Sequence, residues 1–211
     1  MRSDWLTMLL LIFPLAGSTA LAQLPVQLFA GNKGVEYNFF WFKPLGKSGK
    51  VDLFNFTFFN VDYRDARANT YEIYQVATYN LTKTWGLAGG GRFSGGEFIP
   101  EAAVSVQVQR PHFYMNLFPS ARYTPSTRRF GTSLFGLVFY TPPLNDRWSV
   151  FSQLAFETLL DRTGHIYSFQ QLRLGLGYRQ RVQFGIGTNL NQLGPEATLT
   201  TNTGLFIRKE L

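Results

Sequence analysis

The chain has 211 residues, no cysteine and a formal net charge of +7. Without cysteine, a disulfide-stapled fold and thiol-ligated metal sites are excluded. Aromatic residues make up 17% of the chain and charged residues only 16%, against about 25% in an ordinary soluble domain, so its 21 Phe and 10 Tyr need an apolar surrounding that a water-exposed surface does not give.

The first residues, MRSDWLTMLLLIFPLAGSTALAQ, read as a secretory signal peptide. Arg2 gives a minimal basic start, and Leu6 to Leu15 form an apolar run of about ten residues, too short to cross a bilayer as a helix. Pro14 and Gly17 break the segment, and Ala20-Leu21-Ala22 supplies a small-x-small cleavage pattern. Residues 1–22 are therefore expected to be removed, leaving 23–211 as one domain without linker or low-complexity tract. No cysteine marks the cleavage point, which excludes a lipoprotein. Arg2 and Asp4 cancel, so the mature part keeps the basic excess.

From there the dominant period is two, the signature of strands with one apolar and one wet face. Leu24–Ala30 reads as a first short strand, ended by the turn GNKG at 31–34. The stretches Phe39–Phe42 and Phe54–Phe59 are aromatic on both faces, so their inner face is ambiguous and a bulge is an open alternative. Trp85, Leu87 and Phe93 oppose Thr84, Gly86, Gly90 and Arg92. Ala102, Val104, Val106 and Val108 oppose Glu101, Ala103, Ser105, Gln107 and Gln109. Phe113, Met115 and Leu117 oppose Tyr114, Asn116, Phe118 and Arg122. The pattern continues with Trp148, Val150, Leu154 and Phe156 against Ser149, Gln153 and Glu157. Leucines 172, 174 and 176 oppose Gln171, Arg173, Gly175 and Gly177; Phe184 and Ile186 oppose Gln183, Gly185 and Gly187; Leu205 and Ile207 oppose Asn202 and Arg208.

The runs are about ten residues or longer, which is long for a globular sheet and matches the ~9–11 residues a tilted strand needs to cross a bilayer. Short turns at 81–83, 110–112, 143–147 and 179–181 alternate with longer polar connections at 62–70, 94–97, 124–129, 161–165 and 192–196. This suggests tight periplasmic turns and longer outer loops. LTKTWGL (81–87) and LNDRWSV (144–150) both place Trp just after a turn, at the height of an interfacial aromatic girdle. Parity then favours an even number of strands. The expectation is an all-β transmembrane antiparallel β-barrel of about 12 strands, with 10–12 open, in the bacterial outer membrane.

The chemistry-bearing constellations are sparse. The two histidines, His112 in a tight turn and His165 in a loop, do not by spacing form a hydrolase triad. The glycine-rich run at 86–96 is neither G-x-G-x-x-G nor followed by a helix. No metal site or cofactor is indicated. The scattered basic residues do not form a nucleic-acid footprint, so the expected partners are outer-membrane lipid and a small polar solute; the oligomeric state stays open. What remains is the wet face. There Glu36, Asp62, Glu72, Glu101 and Glu157 face Arg92, Arg122 and Arg173, joined by Gln171, Tyr114 and Phe151 as candidate lumen and solute-binding residues.

FTFFNVDY (56–63) followed by YEIYQ (71–75), with FSQLAFET (151–158), YSFQQLRLGLG (167–177) and FGIGTNLNQ (184–192), resembles the strands of the twelve-stranded nucleoside-specific channel-forming outer-membrane proteins. That resemblance implies a lumen binding nucleosides weakly in passage and points to Asp62, Glu72 and Gln171. The C-terminus departs from it, ending in Arg-Lys-Glu-Leu211 instead of an aromatic residue.

The functional reading is a narrow channel for small polar solutes, with inward glycines on the strands at 84–93, 171–179 and 181–190 leaving space and the basic excess favouring anions. The alternatives are a sealed structural or partner-binding barrel, an outer-membrane lipid hydrolase or acyltransferase using His165, and a soluble periplasmic β-protein.

Overall fold

The computed structural model describes residues 24–46 and 49–211, so the expected signal peptide at 1–22 lies outside the described residues. Twelve strands run in chain order: β1 (Pro25–Gly31), β2 (Gly34–Leu45), β3 (Val51–Asp62), β4 (Thr70–Asn80), β5 (Trp85–Ser94), β6 (Glu97–Arg110), β7 (Phe113–Thr124), β8 (Arg129–Tyr140), β9 (Trp148–Asp161), β10 (Gly164–Tyr178), β11 (Val182–Leu193) and β12 (Thr198–Glu210). Each pairs antiparallel with its neighbours in sequence, and β1 closes against β12, leaving no free edge. Leu24–Ala30 is thus the closing strand that parity required.

The outer face explains why so aromatic a chain forms this closed sheet. Outward rings gather at two heights. Tyr37, Phe59, Tyr71, Phe93, Phe98 and Phe130 ring the end opposite the termini, here the distal end. Several touch along the wall, with centroids 6.4 Å apart for Tyr37–Phe59, 6.5 Å for Phe59–Tyr71 and 6.1 Å for Tyr71–Phe93. Trp41, Tyr79, Trp85, Tyr140, Trp148 and Tyr178 ring the terminal end, where Trp148 and Tyr178 are 4.9 Å apart. On β4 the step from Tyr71 to Tyr79 covers about 27 Å of strand, or about 20 Å of height at the usual tilt, the scale of an outer-membrane apolar band. Among the described residues, no Asp, Glu, Lys or Arg faces outward between the two rings. Polar groups that do face outward there are mostly paired: Thr57 donates to Asn55 at 3.0 Å, Ser152 donates to the Tyr140 carbonyl at 3.0 Å, and Thr188 and Thr203 share a 2.9 Å bond.

The two Trp-bearing turns are the same structure. The side-chain oxygen of Thr82 accepts from the backbone N–H of Thr84 and Trp85, and that of Asn145 accepts from Arg147 and Trp148, all between 2.9 and 3.1 Å. In both, the Trp carbonyl accepts from the leucine that opens the turn, Leu81 at 2.9 Å and Leu144 at 2.8 Å. Each short polar side chain replaces a missing ladder partner and fixes the Trp in the terminal-end ring.

One open alternative closes and two expectations need correction. No bulge occurs at the double-aromatic strands: the β2–β3 register runs unbroken from Gly34↔Asp62 to Leu45↔Val51, and the one irregularity between named strands lies between His165 and Tyr167. The connections do not alternate short and long. Most expected outer loops are strand that closes in tight hairpins, at 95–96 and 162–163 for example, whereas the longest connections, 63–69 and 141–147, lie at opposite ends. Turn-forming sequence marks the bend but not where pairing stops. Lastly, the inward glycines do not open a pore. A side chain at Gly187 would meet Arg173, one at Gly31 would meet Asn202, and one at Gly177 would meet Ser149. Beside these three a polar side chain occupies the room, whereas at Gly90, Gly175 and Gly185 the backbone of the neighbouring strand does.

Gly204 has a stricter role. A Cβ there would overlap the Ala30 carbonyl oxygen across the β1–β12 seam. Gly204→Ala is expected to destabilise the barrel by about 1–3 kcal/mol, the cost of overpacking. A lowered urea midpoint in detergent micelles would record it; an unchanged midpoint would show that the seam yields freely.

Candidate functional site

Inward positions carry the chain's buried charge, and each charged cluster joins strands distant in sequence. Arg92 on β5 is the hub of the first. Its Nε donates to Glu101 at 2.6 Å, and its Nη1 donates to Glu72 at 3.2 Å and to Glu157 at 2.5 Å, while Nη2 also donates to Glu157. The last contact crosses the lumen from β5 to β9. Ser120 donates to the second Glu101 oxygen at 3.0 Å, and the Tyr74 ring lies 5.0 Å from the Arg92 guanidinium. Arg122 is the register partner of Glu101, and its Nε has no hydrogen-bond partner among the described residues.

Glu36 on β2 centres the second cluster. It accepts from Asn38, Gln171 and Asn189, each at 2.9 Å, and from Arg173 at 3.1 Å. Arg173 in turn stacks 4.2 Å over Phe29 and donates to Asn189 at 2.8 Å. The third cluster centres on Arg208 of β12. It donates to Glu210 at 3.0 and 2.6 Å and to Gln153 at 3.2 Å, and lies 4.8 to 5.3 Å from the Phe40, Phe139 and Phe151 rings.

Between these clusters the lumen is filled. Phe54 on β3 stacks on Phe118 of β7 at 5.4 Å and meets Phe135 of β8 at 5.7 Å; Phe56 meets Phe135 at 5.3 Å and Phe169 of β10 at 6.4 Å. Phe56 and Phe118 are fully buried. These rings and the Arg92 cluster form a septum. A distal vestibule of about 500 Å³ lies on one side, lined by Glu36, Phe58, Asn60, Tyr167 and Gln171 among others. A terminal-end vestibule of about 580 Å³ lies on the other, lined by Phe40, Phe54, Tyr114, Phe139, Gln183 and Arg208 among others.

The expected lumen residues therefore separate. Arg92, Glu72, Glu101 and Glu157 come together in the septum, with Arg122 beside them and also lining a smaller cleft at the distal loops. Glu36, Gln171 and Arg173 share the second cluster, whereas Tyr114 and Phe151 line the terminal-end vestibule. Asp62 sits at the distal rim. Its carboxylate accepts from the backbone N–H of Arg64 at 2.8 Å and Asp65 at 2.9 Å, which orders the 63–69 loop. In that loop the Arg67 side chain and backbone N–H hold the exposed Asp65 carboxyl below the usual carboxylate range.

His165 does reach a serine: its Nε2 lies 2.8 Å from Ser168 Oγ and its Nδ1 lies 2.7 Å from the Gly194 carbonyl. Ser168 is buried and also bonds Thr158 at 3.1 Å, and the orienting group is a backbone carbonyl, not a carboxylate. The pair latches the irregularity between His165 and Tyr167. Sequence reasoning missed Phe29, Phe54, Phe56 and Phe135 as lumen filling and Arg208 as a hub. The alternation of positions 54, 56 and 58 was the available signal, masked by outward Phe59 and the aromatic strand beside it.

No family model matches the chain, and no curated protein matches it in sequence. Among solved structures, the chain is similar to the NanC porin, with a TM-score of 0.54 at 12% identity over 89% of this chain and 99% of that one. It also aligns with the KdgM porin, with a TM-score of 0.49 at 9% identity over 90% of this chain and 99% of that one. The likeness to NanC is one of fold: this chain is a closed antiparallel barrel of twelve strands with the architecture of a porin.

Proposed function

We propose that this barrel sits in the bacterial outer membrane as a narrow conduit for small polar solutes, shut at mid-height in its resting form. One observation carries this reading. Along β3, Phe54 lines the terminal-end vestibule, Phe58 lines the distal one, and the inward position between them is the buried Phe56. At about 3.4 Å per residue, one inward layer separates two wetted chambers that open at opposite ends. A barrel built only as a wall has no need of paired chambers.

The porin-type fold supports transport as the class of function, and the aromatic rings on the outer face support a bilayer location. A permanently sealed structural barrel is the second reading. It is favoured by Arg92, whose guanidinium meets three carboxylates and leaves the septum few loose groups.

Planar-bilayer recording tests the choice. Wild type is expected to show no steady conductance, and Phe56→Ala combined with Phe135→Ala to show one. Steady wild-type conductance would overturn the shut septum. A folded double variant that never conducts would overturn the conduit and leave the sealed barrel.

A further inference from the structure

The terminal-end vestibule is lined by rings that meet across the barrel, from β2 on one side and β7 and β8 on the other, and by carboxamides between them. Phe40 stacks on Phe139 at 5.4 Å, Phe139 meets Tyr114 at 6.3 Å, and Tyr114 meets Phe42 at 6.5 Å; all four are only partly buried and present free ring surface. The same lining carries Gln107 and Gln109 of β6, beside Tyr114, and Gln183 of β11 with Gln180 in the turn before it. Behind Gln183 a polar row crosses three strands in register, Gln27 on β1, Arg208 on β12 and Gln183 on β11.

Apart from His112, the charge-bearing side chains of this lining, Arg208 and Glu210, are spent on one another. Arg208 is held by Glu210 through two bonds, by Gln153 and by three rings, so it offers no free cation to an acid; Glu210 is equally committed and offers no free anion to a base. What is left over is neutral hydrogen-bonding capacity. In the lining, Gln183 Oε1 has no partner among the described residues although its side chain is more than nine-tenths buried; behind the lining, Gln153 Nε2 and both polar atoms of Gln27 are likewise without one. A buried polar group without a partner costs about 1–3 kcal/mol, so Gln183 Oε1 suits a ligand that brings a donor, and the neighbouring carboxamides of the lining suit one that brings acceptors as well.

From this we infer that the terminal-end vestibule binds a neutral saccharide. Each hydroxyl is both donor and acceptor and so matches a carboxamide, which also carries one of each. The C–H face of a sugar ring is apolar and packs on the ring surface that Phe42, Tyr114 and the uncovered side of Phe139 leave in the lining. A chamber of about 580 Å³ is of ordinary size for a small-molecule site. The inference names the solute class of the conduit and rests on that reading for its role in transport, though not for binding itself.

The full chain in detergent micelles is titrated with maltose, D-glucuronate and uridine, with binding read by saturation-transfer NMR. Maltose is expected to bind most tightly. Gln183→Leu and Phe139→Ala are each expected to weaken it about tenfold, the loss of one buried hydrogen bond or one ring face. Gln75→Leu, on the outer face, leaves it unchanged. Where Gln183→Leu fails to fold, as judged by heat-dependent gel migration, Gln107→Leu at the half-exposed wall carries the same expectation. Tighter binding of glucuronate or uridine, or maltose affinity unmoved by the folded variants, overturns the inference. Maltose binding without passage through the Phe56→Ala, Phe135→Ala barrel sinks the conduit and spares the site; passage without binding does the reverse.

Discussion

Arg92→Met is expected to destabilise the barrel by about 3–5 kcal/mol, the cost of leaving a buried charge cluster without its counter-ion. The guanidinium is the common partner of Glu72, Glu101 and Glu157, and all four side chains are buried. Methionine fills similar space but satisfies no carboxylate, so three acids are left facing one another in the lumen. The remaining cation in reach, Arg122, has no direct ion pair with any of them among the described residues and sits on the far side of Glu101. The acids must then take up protons or admit water. The measurement is the urea midpoint of the folded barrel in micelles, followed by the same measurement on Arg92→Met with Gln at positions 72, 101 and 157. The quadruple variant is expected to regain most of the lost stability, because neutral amides can bond one another where carboxylates repel. If Arg92→Met alone is neutral, the cluster is already wetted and the septum is not the closed layer described. The same variant also separates the two functional readings: a septum loosened by water conducts in bilayers if its remaining rings can part.

How much of this could be read from the residues follows from what alternation reports. Period two tells which face of a strand differs from the other. It assigned the inward face correctly wherever the outward one was aliphatic, as at Leu172, Leu174 and Leu176 opposite Gln171 and Arg173. It failed where both faces were aromatic, since lipid and a packed lumen are both satisfied by Phe; thus Phe54 and Phe56 were not recognised as the septum. The wet-face charges were legible as a set, but their grouping was not. Arg92 meets Glu157 across 65 positions and Glu36 meets Arg173 across 137, pairings decided by barrel closure and strand stagger that no local pattern encodes. Glycine was misread for a related reason. An inward glycine announces free volume, yet only the register shows that Arg173 fills the space beside Gly187.

The largest test of the exterior is Leu174→Arg, expected to cost about 2–4 kcal/mol in a lipid bilayer, the range for a basic residue on the lipid face near mid-depth. Leu174 is outward and 57% exposed, in register with Ile186 on β11 and Ser152 on β9. It is the middle one of the three leucines that separate Gln170 from the ring residue Tyr178 along the outer face of β10, which places it well inside the apolar band. An arginine there has no inward partner to reach, because the wall itself separates it from Glu36 and Glu157, and its stem is too far from either aromatic ring for the head to escape cheaply into water. Leu144→Arg provides the comparison. Leu144 is equally exposed but lies in the terminal-end turn, below the Trp148 ring, where the same charge should cost at most about 1 kcal/mol. Both variants are refolded into lipid vesicles and their unfolding free energies compared with wild type by urea titration. An exterior that met water would tolerate both substitutions within about 0.5 kcal/mol, as ordinary surface positions do. A difference between the two sites that appears in vesicles therefore reads out hydrocarbon at Leu174 directly, independent of whether the lumen ever conducts.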